Sequence, residues 1–124
     1  MFSAFARGMT LDSTEHVQLR KDAVRYMGRH SENFIPFIVQ DGNGQDQAFI
    51  KYLRTMSKVG TWGDDLVLNA LCQCYNVRVS ILKKTERGGL MWTHLGDTSG
   101  DKLTFWLYLE GNHYENLVYS SQLL

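Results

Sequence analysis

The sequence predicts an α+β fold, a single domain in which helices pack on a small, mostly antiparallel sheet. Three observations carry that reading. Apolar residues recur at three- and four-residue steps as far as Tyr75, then at two-residue steps from Val77 onward. Glycine-containing breakers punctuate both halves, whereas internal repeats, linkers and low-complexity runs are absent. With 124 residues, the chain is long enough for one hydrophobic core and too short for two well-packed ones.

The elements follow in order. Phe2 to Ala6 alternates aromatic and small residues before Gly8 and reads as a short helix ended by that glycine. Thr10, Asp12, Ser13 and Thr14 offer caps for a second helix from Glu15 to Met27, with Leu19, Ala23, Tyr26 and Met27 inward and Gly28 as its stop. Phe34-Ile35-Pro36-Phe37-Ile38 is apolar but broken by proline, so it reads as a packed loop or bend. Asp41-Gly42-Asn43-Gly44 reads as a plain turn, although backbone N–H groups in such a turn can also hold an anion.

Phe49, Tyr52, Leu53 and Met56 mark the buried face of a helix from Asp46 to Ser57, which Gly60-Thr61-Trp62-Gly63 breaks. Asp64 or Asp65 caps the next helix, with Val67, Ala70, Leu71 and Cys74 as its core stripe and Asn76 at its end. Val77, Val79 and Ile81 then alternate with Arg78, Ser80 and Leu82 as a first strand. Gly88-Gly89 turns the chain into a second strand, Leu90 to Leu95. Leu103 to Leu109 reads as a buried third strand and His113 to Tyr119 as a fourth, with Gly111-Asn112 between them.

Composition narrows the function classes. Thirteen basic residues balance thirteen acidic ones, so no broad positive surface grips a phosphate backbone or an anionic bilayer. Neither nucleic acid nor membrane is expected as a partner. No segment approaches the roughly 18 to 20 apolar residues of a membrane span, and the N-terminus lacks the pattern of a signal peptide. A monomeric, intracellular protein, cytoplasmic or nuclear, is the expectation. Cys72 and Cys74 lie two residues apart in a helix, where side chains diverge by about 200°, so neither a mutual disulfide nor a zinc site is expected. Both read as structural thiols, and no metal or other cofactor is foreseen.

His16 and His30 flank a helix and His94 lies in a hairpin, so each reads as a surface or packing histidine. His113 differs. It follows a tight Gly-Asn turn at a strand start, and Glu115 two residues on shares its face at a Cα separation of about 6.5 to 7 Å. A carboxylate there can reach one imidazole nitrogen and fix its tautomer, as a catalytic base and its orienting acid require. The same spacing also occurs in purely structural sheet pairs. Trp62 before a helix could line a groove; packing against the sheet is the simpler reading, with Asp64 as a cap.

Taken together, these residues resemble the ovarian tumour (OTU) family of papain-like cysteine proteases, which remove ubiquitin or ubiquitin-like modifiers. The likeness runs from Leu19-Arg20 through Asn33-Phe34-Ile35-Pro36-Phe37, Tyr52-Leu53 and Gly60-Thr61-Trp62-Gly63-Asp64 to Asn112-His113-Tyr114-Glu115-Asn116-Leu117. The resemblance implies a cysteine nucleophile at the start of the first helix, His113 as its base and Glu115, where Asp is more usual, as the orienting residue. It also implies that Trp62, Gly63, Asn112 and Tyr114 line a narrow groove for the modifier's extended glycine tail.

The family's Asp-Gly-x-x-Cys precedes a run that matches Met1-Phe2-Ser3-Ala4, so the nucleophile's place falls immediately before Met1. Residues 1–124 thus read as an OTU-like domain that starts just after that place. Ser3 lies about 200° around the helix from it, and a hydroxyl is a weaker nucleophile than a thiolate. The chain as given is therefore expected to be inactive, whether as part of an active protease or as a pseudoenzyme that binds ubiquitin or another protein. An unrelated α+β adaptor with a structural His113 is the third reading.

Overall fold

The computed structural model describes residues 1–9, 15–39, 44–97 and 99–117. The expected caps Thr10, Asp12, Ser13 and Thr14, the turn residues Asp41, Gly42 and Asn43, and the end of the fourth strand at Tyr119 lie outside them. Four α-helices precede four strands among the described residues: α1 Phe2–Gly8, α2 His16–Arg29, α3 Gln45–Met56, α4 Asp65–Tyr75, β1 Arg78–Lys84, β2 Leu90–Leu95, β3 Thr104–Glu110 and β4 His113–Leu117. The proline-broken segment forms two 3-10 turns, Ser31–Asn33 and Ile35–Phe37. Phe34 between them is fully buried, whereas Phe37 is exposed.

The sheet order is β2-β1-β3-β4. β1 pairs antiparallel with β2 and parallel with β3, and β3 pairs antiparallel with β4. Two of the three pairings are thus antiparallel, as the alternating patterns predict. Val79, Ile81, Phe105, Leu107 and Tyr114 face the helices and are buried together with Phe5, Met27, Leu68 and Leu71. The opposite face carries Leu82 between Trp92 and Tyr108 in one cross-strand row, and Trp92 and Trp106 there are exposed. β3 is therefore buried on one face only.

Three element readings are corrected. α2 continues one residue past Gly28, whose backbone does not take a positive φ; an added Cβ there would make only ordinary contact, 3.9 Å from Leu53 Cδ1. Gly8 is likewise helical rather than a left-handed cap, because the Phe105 ring packs where its Cβ would be, 2.2 Å away. In α4 the buried set is Val67, Leu68, Ala70, Leu71 and Cys72, and Cys74 is exposed. α4 packs on both α2 and the sheet, so its buried arc is wider than one stripe and is centred away from Cys74. The expected ends hold elsewhere: the Asp64 carboxylate accepts the Val67 N–H at 2.9 Å, and Asn76 closes α4 in the left-handed conformation at φ 56°.

Candidate functional site

The tight turn Gly111-Asn112, with Gly111 at φ +60°, delivers β4 so that His113 pairs with Glu110 and Glu115 with Tyr108. Strand alternation sends His113 and Glu115 to the open face and Tyr114 and Asn116 toward the helices. His113 Nε2 lies 3.0 Å from Glu115 Oε1. The predicted pair is thus formed through Nε2, and Nδ1 takes no part in it. Both side chains are about two-thirds exposed, 66% and 64%.

Two contacts fix where α1 begins relative to this pair. Gly8, at the end of α1, sits on Phe105, while Asn116 donates its amide to the Ala4 carbonyl at 2.8 Å. On β3 and β4, Phe105 lies near the far end from His113, and Asn116 lies closer to it. The axis of α1, traced back from Gly8 through Ala4 to Met1, therefore points toward the His113 end of β4. Met1 itself packs on Gly63, where an added Cβ would be 2.6 Å from Met1 Cε and 3.1 Å from Met1 Cβ.

The start of α4 closes the arrangement. Tyr114 is buried and donates its hydroxyl to Asp65 Oδ1 at 2.9 Å, and the other oxygen of Asp65 accepts Lys83 from β1. Burial first, and the Asp65 carboxylate second, push the Tyr114 phenol well above its usual range. On the preceding residue, Asp64 accepts the Tyr52 hydroxyl at 2.8 Å besides capping α4. A groove of about 500 Å³ on that side is lined by Phe37, Ile38, Tyr52, Asp64 and Leu66. Trp62 is 61% exposed at the rim of a smaller cavity beside Met1, so the expected packing against the sheet is not observed. Gly60, two residues before it, has φ +96°, and Gly63, next after it, is pressed against Met1.

Met1 thus meets Gly63, and Asp65 two residues on holds Tyr114, the chain neighbour of His113; Trp62 and Asn112 are exposed. The sequence reading missed Asp65 as the brace of Tyr114 and Asn116 as the tie to α1; the β4 alternation that exposes His113 and Glu115 was the available signal for Asn116. The cysteines stand apart. Cys72 lies seven residues along α4 from Asp65, roughly 10 Å of helix rise, and is buried with its thiol pushed up to about 12 by desolvation. Cys74 is exposed, yet its thiol is also raised, by partial burial and then by Asp22. Among the described residues no group of three or more His, Cys, Asp or Glu side chains could hold a metal ion, and no helix is long and apolar enough to cross a membrane.

Comparisons with known proteins bear on the family and the fold. A family model described as OTU-like cysteine protease matches residues 1–114. Deubiquitinase OTUD6B of Xenopus tropicalis is 24% identical over 107 residues, covering 80% of this chain and 35% of its own length. OVARIAN TUMOR DOMAIN-containing deubiquitinating enzyme 10 of Arabidopsis thaliana is 27% identical over 81 residues, covering 65% of this chain and 21% of its own length. The chain therefore spans at most about a third of either relative. Among solved structures, the OTU domain of OTUD1 matches with a TM-score of 0.75 at 22% identity over 93% of this chain and 75% of that one. An OTU deubiquitinase from Wolbachia pipientis wMel bound to ubiquitin matches with a TM-score of 0.57 at 22% identity, over 83% and 77% of the two chains. At these identities, the structural likeness speaks for the fold.

Proposed function

The chain belongs to the family of OTU-like cysteine proteases, and on that premise we propose that it supplies the histidine–carboxylate half of a thiol isopeptidase acting on ubiquitin or a ubiquitin-like modifier. The observation that carries this is the His113 Nε2 to Glu115 Oε1 contact of 3.0 Å, at the end of β4 toward which α1 points. Glu115 holds the ring so that Nδ1 serves the reaction. A cysteine placed before Met1 would give up its proton to His113 and attack the isopeptide carbonyl. As the C–N bond breaks, His113 would return that proton to the departing lysine amine, and a water deprotonated by His113 would then hydrolyse the thioester.

The division of labour follows from exposure. Trp62 and Asn112 stand at the surface, where an extended tail can reach them. Gly63 keeps the wall low beside Met1, and Tyr114 braces the strand through Asp65. A second reading, a module that binds the modifier without cleaving it, is favoured by one observation: Cys72 and Cys74 both lie on the far half of α4, and neither sits at His113. Under either reading, residues 1–124 alone do not cleave.

Hydrolysis of a fluorogenic ubiquitin C-terminal substrate separates the two. The chain extended before Met1 by an Asp-Gly-x-x-Cys segment is expected to cleave and to lose activity on His113→Ala, while the unextended chain stays silent. Silence of both forms, with ubiquitin still bound in a titration, would instead establish the binding module.

A further inference from the structure

Arg20 of α2 is only 6% exposed and is the one charged residue among the buried ones described. It donates from Nη1 to the Met56 carbonyl at 2.9 Å and from Nη2 to the Thr61 carbonyl at 2.8 Å, and its guanidinium lies 4.3 Å from the centre of the Phe2 ring. Nε has no hydrogen-bond partner, and no carboxylate pairs with Arg20 among the described residues. Its engaged N–H donors are thus spent on two neutral carbonyls and, from Nη1, on the Met56 sulfur at 3.8 Å, and among the described residues the buried positive charge has no counter-charge. Such a charge is expensive to bury unless a fixed anion compensates it.

Arg20 does not close off the protein surface there. It lines a cavity of about 280 Å³ together with Met1, Ser3, His16, Thr61 and Trp62. Among the described lining residues the ionisable side chains, Arg20 and His16, are both bases, with Ser3 adding a hydroxyl and Trp62 an indole N–H, and none is acidic.

We propose that this cavity is a binding site for a carboxylate, held by the buried Arg20 with His16 and Trp62 as auxiliary donors. The guanidinium carbon lies over the Phe2 ring and both Nη atoms already donate, so the donor left for a carboxylate oxygen is the unpartnered Nε–H, on the edge it shares with Nη2. The cavity rim is shared with Gly63, so the site borders the proposed modifier groove without using His113 or Glu115. Two sources carry this chemistry: an aspartate side chain on an extended peptide, and the free C-terminal carboxylate of a glycine tail.

Binding is measured on the 15N-labelled chain by following the Arg20 Nε–H and Trp62 indole resonances, a readout independent of cleavage. Acetyl-aspartate amide and acetyl-Gly-Gly acid are titrated against their uncharged counterparts, acetyl-asparagine amide and acetyl-Gly-Gly amide. At least one acid is expected to shift these resonances saturably, about tenfold more tightly than its neutral counterpart, and the tighter acid identifies the source. Arg20→Gln should abolish the shifts. Because loss of Arg20 can unfold the chain, the exposed-side variant His16→Gln provides the second arm, with binding weakened several-fold at unchanged melting temperature. Equal response to acids and amides, or saturable shifts confined to residues away from the cavity, would overturn the assignment.

Discussion

At the scale of single residues, exposure decides which side chains can do chemistry. Cys72 and Cys74 are equivalent in the sequence, but the fold buries one and exposes the other. Alkylation at pH 8 under native conditions is therefore expected to modify Cys74 and to spare Cys72 until the chain unfolds, as peptide mass mapping would show; modification of both at similar rates would contradict the burial of Cys72. Tyr114 offers a second check. Its hydroxyl bond to Asp65 at 2.9 Å is half-shielded, so Tyr114→Phe should reduce stability by about 1 kcal/mol in urea unfolding. His113 and Glu115 were legible because the strand period alone places residues i and i+2 on one face. Asp65 was legible only as a cap, because its contacts with Tyr114 and Lys83 span 49 and 18 residues of sequence.

At the scale of elements, close packing and capping govern the helices next to the site. Asp64 accepts both the Val67 N–H and the Tyr52 hydroxyl. Asp64→Ala should therefore lower stability by about 1 to 2 kcal/mol, read as a lower thermal midpoint, because α4 loses its cap and α3 loses a tie to it. Gly8→Ala is the harsher change, since its Cβ would lie 2.2 Å from the Phe105 ring. Repacking that ring is expected to cost about 1 to 3 kcal/mol in chemical denaturation. A tolerated alanine there would show that α1 does not lie tightly on β3. Sequence periodicity located these helices within a residue or two. It misjudged Gly8 because a glycine that terminates a helix and one that admits a neighbouring side chain look identical in one dimension.

At the scale of the whole molecule, the buried acids predict alkaline weakness. Cys72 is raised from 9.0 to about 12 in the fold, and Tyr52, Tyr75 and Tyr114 are all raised from 10.0, in each case chiefly by burial. The folded state therefore keeps these protons at pH values where the unfolded chain releases them. Above pH about 9 the unfolded state binds fewer protons, so stability falls as pH rises, through Cys72 first and the tyrosines next. The urea midpoint should drop between pH 8 and 10.5, and Cys72→Ala should flatten the first part of that drop; a level profile would refute the burial of these groups.

By itself, the sequence determined the class of fold, the order of helices and strands, the His113–Glu115 pair and the family, since these rest on local periodicity and on short motifs. Tertiary structure alone decided that Trp62 faces outward, that Cys72 rather than Cys74 is buried, that Tyr114 braces Asp65, and that Arg20 carries a buried charge beside a cavity. The physical reason is one of range. Backbone period and turn chemistry act between neighbours a few residues apart, whereas burial and counter-charge depend on which distant segments meet. Arg20 shows the difference: on a helical wheel it is one more basic residue of α2, and only the meeting of α1, α2 and the Gly60 to Gly63 turn gives it the Met56 and Thr61 carbonyls and the Phe2 ring for company.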